Sequence, residues 1–79
     1  MVIYPNPIND KIYLELSKDL QNKPGLVYIV SDLMARPVLR GEIKNKLSII
    51  PISKLIKGGY FLTIYENKKL IEVKKFIRN

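Results

Sequence analysis

The sequence predicts an all-β domain, an immunoglobulin-like sandwich of about seven antiparallel strands in two sheets. Short runs rich in β-branched and aromatic residues recur about every ten residues, divided by Pro, Gly, Asn and Asp. Apolar residues at helical spacing are hard to find anywhere in the chain. With 79 residues, there is material for one core and one domain, and a chain of this size buries only about 60% of the surface that its unfolded form exposes. Hydrophobic residues make up 47% of it and cysteine is absent, so packing alone must hold the fold without disulfides or thiolate-bound zinc.

The elements follow in order. Val2–Tyr4 meets Pro5 and Pro7, which hold their neighbours extended and bar the segment from a central strand's hydrogen bonding, so it reads as an edge strand running into a turn at Asn9-Asp10. Lys11–Leu16 alternates, with Ile12, Leu14 and Leu16 on one face and Tyr13 and Glu15 on the other. Asp19–Gly25 is a polar loop ending in Pro24-Gly25. Leu26–Ser31 is nearly continuous in apolar residues and reads as a central strand. Asp32–Arg36 turns the chain into Pro37–Glu42, and Lys44-Asn45-Lys46 turns it again into Leu47–Ile52, where Pro51 ends regular pairing.

Ser53–Lys57 is the one stretch that could hold a single helical turn, with Leu55 and Ile56 against the core and Gly58-Gly59 ending it. Tyr60–Glu66 and Lys69–Arg78, joined by a tight turn near Asn67, form the clearest hairpin of the sequence. From the alternation of faces, the expected core is Ile12, Leu14, Leu16, Val27, Ile29, Leu39, Leu62 and Ile64.

Composition narrows the chemistry. Histidine is absent along with cysteine, which removes the usual proton shuttle, the thiol nucleophile and the commonest metal ligands. The seven carboxylates are scattered, and a small sandwich offers little cleft to bring two together, so no enzymatic activity and no cofactor are expected. Three side-chain oxygens near Asn6, Asn9 and Asp10 make too sparse a set for calcium, and no metal is expected. The formal charge of +7 suits either a solvated surface or a polyanionic partner. Lys68, Lys69, Lys74, Lys75 and Arg78 beside Phe61, Tyr65 and Phe76 have the composition of a single-strand nucleic-acid binder. Lysines on a terminal edge strand also block sheet-to-sheet aggregation. That reading is more economical, and no nucleic-acid partner is expected. No apolar run is long enough for a transmembrane segment, and Met1–Pro7 lacks the basic and apolar regions of a signal peptide. An exported form of this module would therefore carry its export signal on a longer precursor.

The order of the motifs is more specific than any one of them. Tyr4-Pro5-Asn6-Pro7 precedes Asn9-Asp10-Lys11-Ile12, and Val27–Asp32 runs into a Leu-x-x-Arg turn ending at Arg36. Leu55-x-x-Gly58-x-Tyr60-Phe61 follows, and the chain closes on Val73-Lys74-Lys75-Phe76-Ile77-Arg78. From Val2 to Arg78 this series resembles the C-terminal sorting domains of the type IX (Por) secretion system.

The resemblance implies a non-catalytic signal domain at the end of a secreted precursor from a Bacteroidetes-type bacterium. Such a domain folds in the periplasm and takes its N-terminal cargo domain across the outer membrane of a Gram-negative cell, to the cell surface or the medium. The implied partners are the outer-membrane translocon with its shuttle proteins and a gingipain-like sortase that removes the domain. It places recognition on Gly58, Tyr60, Lys74, Lys75, Phe76, Ile77 and Arg78. Tyr4, Pro5, Asn6, Pro7, Asp32, Arg36 and Leu55 are implied as structural motif residues. The family usually has glycine in the turn after the Asp-x-x element, where this chain has Ala35. A positive φ there would cost alanine about 1 kcal/mol. An adhesive or carbohydrate-binding sandwich of a surface protein is the alternative; it would persist on the mature protein, whereas a sorting domain would be lost from it.

Overall fold

The computed structural model describes residues 1–5 and 7–79. Seven strands form in the order read above: β1 (Val2–Tyr4), β2 (Lys11–Glu15), β3 (Leu26–Asp32), β4 (Pro37–Glu42), β5 (Leu47–Pro51), β6 (Gly58–Glu66) and β7 (Lys69–Arg78). No helix occurs among the described residues. One sheet has the order β1-β2-β5 and the other β4-β3-β6-β7, with every neighbouring pair antiparallel. This is an immunoglobulin-like arrangement in which the fourth strand stays beside the third, instead of joining the first sheet as in a constant-type domain.

The inner faces meet in one core built from Ile12, Leu14 and Ile50 on the smaller sheet and Leu26, Val30, Leu62, Ile64 and Phe76 on the larger, with Ile8 and Ile52 beside them. Ile12, Leu14, Leu16, Leu62 and Ile64 are buried, as their alternation predicts. Val27 and Ile29 are not: they are half-buried on the outer side, and β3 turns Leu26, Tyr28 and Val30 toward the core. The reason is register. Tyr28 and Val30 lie opposite Ile64 and Leu62 of β6 and so share their face. Leu39 lies opposite Val30, and it packs on the core while remaining half-buried.

Ser53–Lys57 makes no helical turn. The chain reverses through Leu55 N–H donating to the Ile52 carbonyl at 3.0 Å. Leu55 packs on the core, but Ile56 is 82% exposed and does not.

Two reversals hold non-glycine residues in the left-handed region. Asn67 (φ 49°) and Lys68 (φ 72°) link β6 to β7 in the two-residue manner that suits the twist of a hairpin. In the β3–β4 turn Ala35 has φ 64°, the conformation at which alanine is strained and glycine is not. Asp32 holds that turn. Its Oδ1 accepts hydrogen bonds from the backbone N–H of Met34 (2.9 Å) and Arg36 (3.0 Å), and its Oδ2 accepts one from Arg36 Nε (2.9 Å). The Arg36 N–H foremost, with the Arg36 side chain and the Met34 N–H, holds the carboxyl of Asp32 below the usual carboxylate range.

Candidate functional site: the C-terminal hairpin

β6 and β7 pair from Gly58↔Arg78 to Glu66↔Lys69, with one register irregularity at Ile64/Tyr65. Side chains therefore alternate along β7, and its last residues divide between two sides. Phe76 lies opposite Tyr60. The two rings stack with centroids 5.6 Å apart and are 3% and 6% exposed. Lys75, opposite Phe61, and Ile77, opposite Gly59, point outward and are exposed. Lys74 shares Phe76's side but is exposed as well, lining a cleft of about 200 Å³ with Val2, Ile3 and Lys75 at the seam between β1 and β7.

Tyr60 has a second constraint. Its hydroxyl donates to the Ile56 carbonyl, back across the corner where the chain passes from one sheet to the other. A tyrosine at the start of the sixth strand, bonded to backbone a few residues upstream, is the tyrosine corner of immunoglobulin-like sandwiches. Gly58, at φ 149°, takes a backbone conformation that L side chains rarely adopt, although a Cβ there would meet nothing within 4 Å. Leu55, Gly58 and Tyr60 thus act together: one fills the core, one permits the bend and one locks it.

Arg78 closes the far end. Its Nε donates to the Ile52 carbonyl (3.1 Å), and its Nη2 donates to the Ser53 carbonyl (3.2 Å). One guanidinium thereby joins the last strand of the larger sheet to the exit of β5 from the smaller one, using the fork geometry that a lysine lacks. Beside it Ile8 N–H donates to the Ile77 carbonyl (3.0 Å) and Asn79 N–H donates to the Ile8 carbonyl (2.9 Å). These bonds make a parallel bridge between Ile8 and Arg78. They also fix which residues of β7 turn their backbone groups away from β6. Those are Ile77, Lys75 and Val73, of which Ile77 already has Ile8 as a partner.

At the other end of the chain, Tyr4 stacks on Tyr13 with centroids 5.4 Å apart. Burial first, and then the neighbouring Glu15 carboxylate, push the Tyr4 hydroxyl pKa up. Pro5 and Pro7 are exposed, while Asn6 lies outside the described residues. Among the described residues no group of three or more carboxylates is placed to hold a metal ion, and no helix is long and apolar enough to cross a membrane.

The fold thus brings together Gly58, Tyr60 and Lys74–Arg78 in one hairpin and leaves Asp32 and Arg36 in a separate turn. Ile8 escapes a reading by periodicity because it stands alone between Pro7 and Asn9. It is fully buried all the same. The burial of Tyr60 has a sequence signal in retrospect, its place at the start of the sixth strand of a seven-stranded sandwich.

No curated protein and no solved structure matches the chain. Residues 2–79 match a family described as the secretion system C-terminal sorting domain. The match spans every strand, from β1 through β7, and includes the corner, the Asp32 turn and the terminal hairpin. Domains of this family are sorting signals for type IX secretion, which direct proteins across the outer membrane to the cell surface or the medium, and the chain belongs to the family of secretion system C-terminal sorting domains.

Proposed function

We propose that the type IX outer-membrane translocon and its shuttle proteins read this domain through the exposed residues at the end of the β6–β7 hairpin. In this reading Gly58, Tyr60, Lys74, Lys75, Phe76, Ile77 and Arg78 act in two ways. Lys74, Lys75 and Ile77 make contact, while Gly58, Tyr60, Phe76 and Arg78 fix the shape of the strand that presents them. The observation that carries it is the exposure of two adjacent lysines and an isoleucine on a strand held rigid by buried neighbours. Paired cations give long-range attraction, and a fixed apolar residue between them and the strand end gives specificity.

The domain performs no chemistry of its own and needs no metal or cofactor. It ends a precursor whose N-terminal cargo domain is separated from it by a gingipain-like sortase after crossing the outer membrane.

The test is a reporter fused behind a signal peptide and ahead of residues 1–79, expressed in a bacterium with an intact type IX system. The intact fusion should leave the cell, and the pair Lys74→Ala and Lys75→Ala should hold it in the periplasm as a folded protein. Export of that variant at the rate of the intact fusion would move recognition away from these lysines. Recovery of the domain still joined to the reporter at the surface would count against removal by a sortase.

A further inference from the structure

The sandwich has four edge strands, and three carry a device that discourages pairing with another chain. β1 has three residues and runs into Pro5. β4 begins at Pro37, carries Arg40 and Glu42, and meets β3 with an irregular register at Val30/Ser31. β7 carries Lys74 and Lys75, has an irregular register with β6, and is closed at its end by Ile8. β5 is different. Leu47–Pro51 holds no charged residue, and its register with β2 is unbroken from Lys11↔Pro51 to Glu15↔Leu47.

The hydrogen bonds flanking β5 show which of its backbone groups are free. Leu16 N–H donates to the Lys46 carbonyl (3.0 Å) and Ile52 N–H to the Asp10 carbonyl (2.9 Å). Even-numbered residues therefore face β2, and Leu47 and Ile49 turn their N–H and C=O groups outward. Two donors and two acceptors stand in a row, ended by Pro51, which adds an acceptor but no donor. The side chains of these residues are 42% and 58% exposed, and Ile49 lies opposite Tyr13. Along the strand runs an open groove of about 390 Å³, whose lining includes Tyr28, Glu42, Leu47, Ser48 and Ile49.

Charge decides the occupant. Lys44 and Lys46 precede the strand and Lys54 follows it. Glu42 is matched by Lys44 at 3.4 Å, which leaves Lys46 and Lys54 as cations without an ion-pair partner among the described residues. A second copy pairing antiparallel through β5 would set these lysines against one another and bring together two chains of +7. An acidic extended segment meets no such penalty. We propose that the free edge of β5 docks an extended acidic segment of another protein, which adds to the smaller sheet as a further antiparallel strand.

The probe is a blocked heptapeptide, Glu-Val-Thr-Val-Thr-Val-Glu, titrated into the ¹⁵N-labelled domain beside a counterpart with lysine at both ends. The acidic peptide should shift the amides of residues 46–52 and bind about tenfold tighter than the lysine peptide, with the preference fading as salt is raised. Ile49→Pro removes a donor that faces away from β2, so the fold should persist while binding weakens about tenfold. N-methylation of alternate peptide amides should abolish binding without altering the protein. Shifts centred on β7, equal affinity for the two peptides, or undiminished binding of the N-methylated peptide would each overturn the proposal. So would a concentration-dependent dimer lost in Ile49→Pro, since it would make a second copy the occupant.

Discussion

The inward side of β7 carries Phe76 and Arg78, and the outward side carries Val73, Lys75 and Ile77. Inward residues touch the rest of the domain at several points: Phe76 on the Tyr60 ring, and Arg78 on the carbonyls of Ile52 and Ser53. Outward residues face solvent from Val73 to Ile77. One strand thus serves as both a structural closure and a displayed surface, and removing residues 74–79 abolishes both at once. Loss of export after such a truncation cannot distinguish a missing signal from a missing fold. Single substitutions on the two sides can.

The largest effect should come from Phe76→Ala, which empties a buried aromatic site and should cost about 3–5 kcal/mol. In a domain this small that approaches the whole of its stability. Chemical denaturation should show the midpoint collapse, and a midpoint near that of the parent would mean that Phe76 closes nothing. Arg78→Ala should cost less, about 1–2 kcal/mol, because its bonds lie at a partly exposed end. Arg78→Lys should recover little of this, since a single ammonium cannot span both carbonyls.

Stabilising the scaffold elsewhere sharpens the division. Ala35→Gly relieves the left-handed strain of the β3–β4 turn and should add about 1 kcal/mol. Combined with Arg78→Ala it should restore most of the lost stability, since the two sites share no partner. Combined with Lys74→Ala and Lys75→Ala it should do nothing for export. If it rescued export there, those lysines would belong to the fold after all.

Acid tests the same turn. The folded-state pKa of Asp32 is depressed by the Arg36 and Met34 N–H groups, and that of Asp19 by the Ser17 hydroxyl. A depressed carboxyl contributes stability that is fully present above its unfolded value of about 3.9 and is lost as pH falls through the lower folded value. Melting temperature should therefore change little on this account from neutrality to about pH 4 and drop below it. Asp32→Asn should lower the neutral value and flatten the acid limb. The smallest effect on stability belongs to Lys75→Ala, at most about 0.5 kcal/mol, although its expected effect on export is among the greatest.

The strands themselves were largely legible, for a physical reason that also marks where legibility ends. β4 and β7 begin and end where composition places them, because proline, glycine and charged turns bound them. In β2 a single apolar face fixes both the strand and its orientation. β3 offers apolar residues on both faces, so the period of two identifies a strand without saying which side is inside. Its register against Leu62 and Ile64 decides that, and register is a property of two segments rather than one. Ile8 was hidden for a related reason, since its burial depends on a bridge to a residue seventy positions later. The resemblance places recognition on Tyr60 and Phe76, and pairing across β6 and β7 turns both inward. The free backbone groups of β5 follow from pairing parity, which has no trace in composition.

The bridge between Ile8 and Arg78 has a consequence in time. A chain emerging from the ribosome, or from the inner-membrane channel, presents six of its seven strands before the residues that cover Tyr60, pair with Ile8 and clasp Ile52 have appeared. Until then Ile8 lacks its neighbour and the Tyr60 ring lies open. The closed sandwich therefore needs the chain through residue 78. A chain that stopped before Lys74 would lack both the ring that covers Tyr60 and the exposed lysines. Closure of the fold and the lysines proposed for recognition thus depend on one strand, and a chain in which that strand is missing has neither.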